Sequence, residues 1–255
     1  MDQKFISNLK KIIIEAGQIS INLRDKGLIV KQKKDSSPVT NADIAISNFI
    51  YAKLTEIDIN IPVICEEQPL KDVSNKETIW LVDPIDGTKS YIDNMNSFTI
   101  NIALISKQIP VIGLIYQPIL KKLYFTNHKK KLCIEQDGYI IAPEYNFNKD
   151  YRVVVSSRNS NLETKEYIKK YNFLEVISIA SSIKLCMIAE GYVDSYPRFN
   201  PTMEWDIAAG HALILASEGD IIDTINNKSL VYNKNNFQNS NFIALSKRHF
   251  RSLIL

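Results

Sequence analysis

Two carboxylates, Asp83 and Asp86, stand three positions apart directly after the apolar run of residues 79–82, and Pro84 and Gly87 accompany them. Because the proline ring restricts the backbone, both carboxylates can face the same side of a tight turn, and Gly87 lets the chain approach a ligand without a Cβ atom in the way. Such a turn can hold oxygen ligands in fixed positions around a cation. The alternative is an Asp-rich turn whose side chains only bond to their own backbone.

Acidic side chains also stand at the ends of two other predicted elements. Glu66 and Glu67 follow a predicted strand at residues 62–65, so one glutamate should face the site and the other should lie behind it. Asp206 stands near the start of a predicted helix, and the small residues 208–210 indicate that this helix packs closely against another element. The alternatives are a solvated glutamate pair and an acid that is favoured at a helix N-terminus anyway.

Ligand sets made only of oxygen suit hard cations, and magnesium is usually held by a few carboxylates together with water and phosphate oxygens. Thr88 is predicted to open a short helix, whose free N–H groups and positive dipole end suit an anionic phosphate. Zinc is disfavoured because His128, His211 and His249 lack ligand spacing, and we expect them to be structural or surface residues. The residues therefore indicate a site for magnesium and phosphate.

Composition places the chain among ordinary globular proteins. Its 255 residues are 45% hydrophobic and 23% charged, with a formal net charge of +3 spread along the sequence, which argues against a dedicated nucleic-acid surface. The cysteines are widely spaced and form no disulfide or zinc pattern. The charged N-terminal segment lacks the apolar core of a signal peptide, and no apolar run is long enough to span a bilayer. We expect a cytoplasmic protein.

The hydrophobic pattern predicts two helices first, one from Phe5 to Leu23 that stops at Gly27 and one that begins near Thr40. Strands are then predicted at residues 62–65, 79–82, 98–105, 111–116 and 123–126. Beyond residue 151, strands at 153–156 and 176–179 alternate with helices at 162–171, 182–190 and 204–218. We therefore predict an α+β lobe at residues 1–148, which holds the metal-binding turn, and an α/β lobe at residues 149–255, with a cleft between them.

Several segments, in their order and spacing, resemble the inositol monophosphatase superfamily, and most closely its CysQ-type 3′(2′),5′-bisphosphate nucleotidase branch. These segments are SPVTNAD at 37–43, EE at 66–67, WLVDPIDGT at 80–88, FTINIALI at 98–105, SSIK at 181–184, YPRFNPTMEWD at 196–206, and the continuation to His211. The DPIDGT and WDIAAGH segments are specific for the superfamily. The FTINIALI and YPRFNPT segments are similar to the nucleotidase branch in particular.

The resemblance implies a fold, an activity and cofactors. The fold is the layered α-β-α-β-α sandwich of the inositol monophosphatase and fructose-1,6-bisphosphatase type. The activity is that of a magnesium-dependent phosphoric monoester hydrolase of sulfur metabolism, which converts adenosine 3′,5′-bisphosphate to AMP and phosphate. At least two Mg²⁺ ions assist the in-line attack of a water molecule on phosphorus, and no covalent phosphoenzyme is needed.

Position by position, the resemblance also implies roles for single residues. Glu66, Asp83 and the Ile85 carbonyl would hold one Mg²⁺ ion, and Asp83 would share a second with Asp86 and Asp206. Asp43 and Thr88 would orient the attacking water, with Glu67 in support, although a capping box with Thr40 is the alternative for Asp43. The residues implied to contact substrate are Glu66, Ile85, Asp86, Gly87, Thr88, Ser182, Lys184, Arg198 and Asp206. Lys184 suits a phosphate group, whereas Arg198 has an ordinary surface arginine as its alternative.

Two departures from the branch bear on the substrate: Ala180 replaces a glycine, and residues 157–160 lack a histidine that the branch commonly carries. A phosphatase for inositol monophosphate or a sugar phosphate is therefore the nearest rival, and a non-catalytic protein that binds metal and phosphate is a rival of another class. Haloacid-dehalogenase-type and cysteine phosphatases are excluded, because their D-x-D and Cys-Arg loop patterns are missing. We expect a small-molecule substrate and no nucleic-acid partner. The sequence leaves open a monomer or homodimer and peripheral association with the inner face of the membrane.

Overall fold

Residues 2–34, 36–70, 72–143, 151–157 and 161–254 are described in a computed structural model of the chain. Their helices are α1 (Gln3–Lys26), α2 (Asn41–Ile57), α3 (Thr88–Ile92), α4 (Leu162–Tyr171), α5 (Ile183–Ala189), α6 (Glu204–Ala216) and α7 (Lys247–Ile254). The strands before residue 142 are β1 (Val30–Gln32), β2 (Pro38–Thr40), β3 (Val63–Cys65), β4 (Thr78–Asp86), β5 (Thr99–Ser106), β6 (Ile109–Gln117), β7 (Lys122–Thr126), β8 (Leu132–Gln136) and β9 (Tyr139–Ile141). Those after residue 151 are β10 (Arg152–Ser156), β11 (Glu175–Ile179), β12 (Ser195–Arg198), β13 (Thr202–Met203), β14 (Asp220–Asp223), β15 (Lys228–Ser229), β16 (Gln238–Asn239) and β17 (Phe242–Leu245).

The strands of these residues form two large sheets and two small ones. The seven-stranded sheet has the order β3-β4-β5-β6-β7-β8-β9, and it is antiparallel except for the pair β3 and β4. The six-stranded sheet has the order β11-β10-β12-β17-β14-β15, in which β10 lies parallel to both of its neighbours. β1 pairs with β2, and β13 pairs with β16.

The elements stack in five layers. Helices α1 and α2 cover one face of the seven-stranded sheet, and α6 packs against the other face with α5 beside it. The six-stranded sheet follows, with α4 against β12 and α7 against β17. Tyr167, Tyr171 and Phe173 form an aromatic group with His249, which joins α4 to α7. This arrangement is the α-β-α-β-α sandwich expected from the sequence.

Strand β4 contributes to two separate hydrophobic cores. Trp80 and Val82 belong to the core between α1, α2 and the seven-stranded sheet, whereas Ile79 and Leu81 belong to the core shared with α5, α6 and the six-stranded sheet. Successive side chains of a strand point to opposite faces, so a strand covered on both sides must be apolar throughout. The packing on both faces fixes the position of the acidic residues at the end of β4.

Helix α6 is buried around almost its whole circumference, which explains its small residues. Gly113 of β6 lies so close to this helix that an added Cβ atom would stand 2.1 Å from the carbonyl oxygen of Ala209 and 2.9 Å from the Cβ of Ala212. The expected close packing of α6 is confirmed, and its partners are β6 and α5.

Most predicted elements are present, and the structure corrects several details. The helix predicted from Thr40 starts there, with Thr40 as the N-cap of α2. The predicted end of β4 at residue 82 is wrong, because the strand continues to Asp86 through a shift of register between Asp83 and Asp86. The irregular pairing accommodates Pro84, which cannot donate a ladder hydrogen bond. Several short strands after residue 130 were not predicted from the sequence.

The division into lobes at residues 1–148 and 149–255 remains a prediction. Residue 148 lies outside the described residues, although the seven-stranded sheet ends at Ile141 and the six-stranded sheet begins at Arg152. Of the helices that are described, none is both long enough and apolar enough to cross a bilayer.

The contact between Gly113 and α6 provides a test of the packing. Gly113→Ala should lower the free energy of unfolding by about 1–3 kcal/mol, because the added methyl group must push helix and sheet apart. Urea unfolding measures this change. Ile109→Ala is the control. Ile109 is exposed on the same strand, so this variant should lower the free energy of unfolding only slightly. A parent-like midpoint for Gly113→Ala would contradict the described packing.

Candidate active site

The end of β4 and the starts of α5 and α6 surround a cavity of about 370 Å³. Eight of the residues predicted for the site line it: Glu66, Asp86, Gly87, Thr88, Ser182, Lys184, Arg198 and Asp206. Asp43, Asp83 and Ile85 are buried behind the wall rather than on it. Segments that are far apart in the sequence thus converge on one cavity between the two large sheets.

The end of β4 has a fixed local geometry. The backbone N–H of Ile85 donates to Oδ1 of Asp83 over 3.1 Å, and the carbonyl of Ile85 accepts from the Thr88 hydroxyl over 3.1 Å. Gly87 has a φ of 91°, and an added Cβ would approach the Ser97 carbonyl to 3.1 Å and the Ser181 Cβ to 3.3 Å. Backbone conformation and protein neighbours therefore require a glycine here, and the expectation that Gly87 also makes room for a ligand stays a prediction.

Asp43 makes the capping box and also contacts Thr88, while its role toward the attacking water stays a prediction. Its Oδ2 accepts from the N–H of Thr40 over 2.8 Å and from the hydroxyl of Thr40 over 2.5 Å, which completes a capping box on α2. Its Oδ1 accepts from the Thr88 hydroxyl over 3.3 Å. Burial raises the pKa of Asp43, whereas the bonds from Thr40 lower it. Helix capping therefore holds this carboxylate against Thr88.

Glu66 and Glu67 share the ammonium group of Lys33, which lies between β1 and β2. The Nζ atom of Lys33 donates to Oε1 of Glu66 over 2.7 Å and also forms an ion pair with Glu67. The Glu66 side chain is 29% exposed and lines the cavity, whereas that of Glu67 is 8% exposed and lies behind it. Burial lowers the pKa of Lys33, but the two carboxylates outweigh burial and raise it. Burial also raises the pKa of Glu67.

Three aspartates form a cluster of like charge, in which Asp83 is buried and Asp86 and Asp206 are half-buried at the cavity wall. Burial raises the pKa of Asp83 well above its usual range, and Glu66, Asp86 and Asp206 raise it further. Burial also raises the pKa of Asp206 to about 8, with Asp86 and Glu66 adding to the effect. The pKa of Asp86 is raised by burial and partly restored by Lys184. Such a cluster is costly when ionised without a cation, because carboxylates in a medium of low dielectric repel each other.

The donor set suits a magnesium ion in its chemistry. Within the described residues, no three acidic, histidine or cysteine side chains stand in a geometry that closes around one ion, and Lys33 holds Glu66. The donors are nevertheless carboxylates and a backbone carbonyl, and the repulsion among them is relieved by a hard dication. The carbonyl of Ile85 retains a second lone pair beside its bond from Thr88. The residues therefore fit the cofactor expected from the sequence.

Cationic side chains also line the cavity. The Nζ atom of Lys184 donates to the carbonyls of Ser181 over 2.5 Å and Ile179 over 3.3 Å, and burial lowers the pKa of this lysine to about 8. Arg198 of β12 is half-buried, and its Nε atom is buried without a hydrogen-bond partner among the described residues. The cavity thus combines positive groups with an acidic cluster.

Sequence reasoning missed several residues of the cavity. The missed lining residues include Ser156, Ser157, Ser181, Tyr196 and Thr202. Ser156 ends β10, which lies between two parallel neighbours, and the carboxyl ends of such strands commonly bind ligands. Ala180 lines the cavity, and residues 158–160 lie outside the described part. The acid Glu204 is fully buried and pairs with Lys234 over 2.6 Å, so it belongs to the scaffold.

The histidines have the non-ligand roles expected for them. His211 is buried between Tyr232 at 3.0 Å and Asp220 at 2.9 Å, and His249 is buried in the aromatic group between α4 and α7. His128 is exposed. All three cysteines are free.

Comparison with known proteins identifies similar sequences and structures. A model of the Inositol monophosphatase family matches residues 1–254. The 3′(2′),5′-bisphosphate nucleotidase CysQ of Salmonella typhimurium is 39% identical over 194 residues, which cover 75% of this chain and 78% of that protein. The crystal structure of CysQ from Bacteroides thetaiotaomicron, a bacterial member of the inositol monophosphatase family, is 33% identical, has a TM-score of 0.83, and is matched over 96% of this chain and 98% of its own.

A more distant solved structure shows the same fold. It is an IMPase/NADP phosphatase complexed with Mg²⁺ and phosphate, which is 18% identical with a TM-score of 0.78 over 98% of this chain and 92% of its own. The sandwich predicted from the sequence is confirmed by these structures.

The repulsion within the acidic cluster leads to a prediction about stability. With divalent ions removed by EDTA, Asp83→Asn should raise the melting temperature, because it removes one buried charge from a cluster of like charges. The expected gain is about 1 kcal/mol, or roughly 2–4 °C for a chain of this size. Added Mg²⁺ should then stabilise the parent protein more than the variant. Differential scanning fluorimetry measures both effects.

The control is Asp137→Asn, which removes an equal charge from an exposed position. It should leave the melting temperature in EDTA and the stabilisation by Mg²⁺ nearly unchanged. An Asp83→Asn variant that melts well below the parent in EDTA, or that gains as much from Mg²⁺, would contradict the account of the cluster.

Proposed function

The chain belongs to the inositol monophosphatase family, and we propose that it is a magnesium-dependent 3′(2′),5′-bisphosphate nucleotidase that releases the 3′-phosphate of adenosine 3′,5′-bisphosphate. The observation that carries the proposal is the cavity itself, which is lined both by the acids Glu66, Asp86 and Asp206 and by the cationic groups of Lys184 and Arg198. A substrate with two phosphates matches this combination of acidic and cationic side chains, since one phosphate can be hydrolysed beside the acids while cationic groups bind the other. The curated relative and the solved structure that share the CysQ name support the same substrate class.

The acidic residues are assigned to the cofactor. Glu66, Asp83, Asp86, Asp206 and the carbonyl of Ile85 would hold two Mg²⁺ ions, with Asp83 serving both. Bound Mg²⁺ supplies neutralisation of the charge on phosphoryl oxygens and makes a nearby water more acidic. Before the ions bind, Lys33 provides the positive charge beside Glu66.

Thr88 and Asp43 are assigned to the orientation of the attacking water. The Thr88 hydroxyl donates its proton to Asp43 Oδ1 or to the Ile85 carbonyl, so its oxygen is left to accept a hydrogen bond from water. A water held in this way presents its own lone pair to phosphorus. Attack forms a new bond between the water oxygen and phosphorus and breaks the bond from phosphorus to the ribose 3′ oxygen. One proton of the water passes to that oxygen, so that AMP leaves with a 3′-hydroxyl and the other product is hydrogen phosphate.

The cationic groups that line the cavity are assigned to the binding of the second phosphate of the substrate. Lys184 is held by two carbonyls and cannot move freely, so it contributes a fixed positive charge. The buried Nε of Arg198 lacks a partner in the described structure, and a phosphate oxygen would supply an acceptor for it. Ser182 lines the same cavity.

The proposal is tested by phosphate release from adenosine 3′,5′-bisphosphate and from myo-inositol 1-phosphate, each with Mg²⁺ and with EDTA. We expect faster release from the nucleotide and none in EDTA. Asp83→Asn should lower kcat by about 10²–10³-fold or more, and Glu67→Gln should lower it less, because Glu67 lies behind the cavity wall. Faster hydrolysis of the inositol phosphate, or turnover that does not depend on Mg²⁺, would overturn the proposal.

Thr88 allows the water-orienting assignment to be tested separately. Thr88→Val keeps the shape of the side chain but removes the hydroxyl, and kcat should fall about 10²–10⁴-fold while KM changes little. Thr88→Ser should recover most of kcat. Thr40→Ala, by contrast, should lower the free energy of unfolding by about 1 kcal/mol through the lost helix cap. Equal kcat values for the valine and serine variants would refute the assignment.

A further inference from the structure

Buried hydrogen bonds connect strand β5 to the start of α5. Thr99, Asn101 and Ser182 are at most 3% exposed. The Thr99 and Ser182 hydroxyl oxygens lie 2.8 Å apart, and the Ser182 hydroxyl donates to Oδ1 of Asn101 over 2.8 Å. Thr99 and Asn101 stand two positions apart on one strand, so both face the same side.

The direction of these bonds follows from the number of protons. Ser182 has one hydroxyl proton, which it gives to Asn101, so the hydrogen in the bond to Thr99 must come from Thr99. With Oδ1 of Asn101 used as an acceptor, its Nδ2 group is the donor at the far end. This Nδ2 group is buried and has no hydrogen-bond partner among the described residues. The register of β4 and β5 places Asn101 opposite Asp83 and Thr99 opposite Asp86, so both side chains stand beside the acids at the end of β4.

The position of Ser182 shows that helix capping does not explain these bonds. Ser182 is the N-cap residue of α5, where a serine hydroxyl normally accepts from the backbone of the first turn. Here the side chain makes no capping bond and instead reaches across to β5. The hydroxyl therefore contacts the other large sheet rather than its own helix.

The loop before α5 is held in a conformation that needs support. Ser181 has a φ of 58°, in the left-handed region that costs free energy for a residue with a side chain. Its carbonyl accepts from Lys184, and its Cβ lies beside Gly87. The bonds from Ser182 to β5 are thus the anchor of a strained loop that also carries Lys184.

We propose that Thr99, Ser182 and Asn101 form a positioning relay that orients Asp86 toward the metal site and fixes the distance between Asp86 and the segment that carries Lys184. The inference rests on the proposed function and extends it to residues that do not contact the reacting atoms. Asn101 Nδ2 is placed to bond one carboxylate oxygen of Asp86 and leave the other for the cation. Residues that orient a metal ligand in this way commonly affect metal affinity by about 10–100-fold.

The relay predicts how its variants bind Mg²⁺ without substrate. Asn101→Leu and Thr99→Val should each weaken Mg²⁺ binding, with Asn101→Leu losing about 10–100-fold and Thr99→Val losing less. Thr99→Ser should recover most of the loss. Isothermal titration calorimetry with MgCl₂ measures the affinity, and melting temperatures in EDTA report whether each variant is folded.

The double variant distinguishes a relay from a general loss of packing in the core. If the residues act through one chain of bonds, Thr99→Val/Asn101→Leu should bind Mg²⁺ no more weakly than Asn101→Leu alone, whereas independent effects would multiply. Thr126→Val is the matched control, because Thr126 is a buried threonine of β7 whose hydroxyl accepts from Gly113 over 3.1 Å. It should lower stability and leave Mg²⁺ affinity unchanged.

Steady-state kinetics then connects the relay to the substrate. The KM for adenosine 3′,5′-bisphosphate should rise in Thr99→Val, because the loop that carries Lys184 is no longer anchored, and Thr99→Ser should restore it. Parent-like Mg²⁺ affinity in Asn101→Leu, multiplicative losses in the double variant, or an equal loss in Thr126→Val would overturn the proposal. If the parent protein does not hydrolyse the nucleotide, the proposed function fails, and calorimetry still decides on the relay.

Discussion

The mutual repulsion of buried carboxylates at the end of β4 is the constraint on which the remaining structure depends. Asp83, Asp86 and Asp206 lie in a region where burial disfavours their charged forms, and Glu66 adds a further negative charge at the cavity wall. Without a rigid scaffold and a compensating cation, acidic side chains would turn toward solvent or take up protons. Their convergence is stable only where the scaffold is rigid and a cation compensates the charge.

The scaffold provides that rigidity by covering β4 on both faces. The strand lies between two hydrophobic cores, and α6 is packed so closely against the sheet that β6 needs a glycine at position 113. The start of α6 carries Asp206, whose Oδ2 accepts from the N–H of Met203 over 2.8 Å. The close packing of α6 therefore brings the acid of one half of the chain to the acids of the other half.

The sequence predicted those features that depend on local pattern. The acids at 66, 83, 86 and 206, the short helix at Thr88 and the capping box at Thr40 could all be inferred from residue type and spacing. The role of Lys33 could not be inferred from the sequence. Its ion pairs with Glu66 and Glu67 depend on where the hairpin of β1 and β2 lies relative to the end of β3. The bonds among Thr99, Asn101 and Ser182 were also missed, since they join residues about eighty positions apart. The extension of β4 past Pro84 depends on its pairing with β5, which no local rule indicates.

The most direct test of the central claim is to locate the cations themselves. Crystals grown with Mn²⁺ in place of Mg²⁺ give anomalous scattering that identifies each ion. The account predicts ions in the cavity that are coordinated by Asp83, Asp86, Asp206 and Glu66, with the Lys33 ammonium displaced from Glu66. A cavity without Mn²⁺, while Lys33 remains bound to Glu66 and the protein is saturated with the ion, would contradict it.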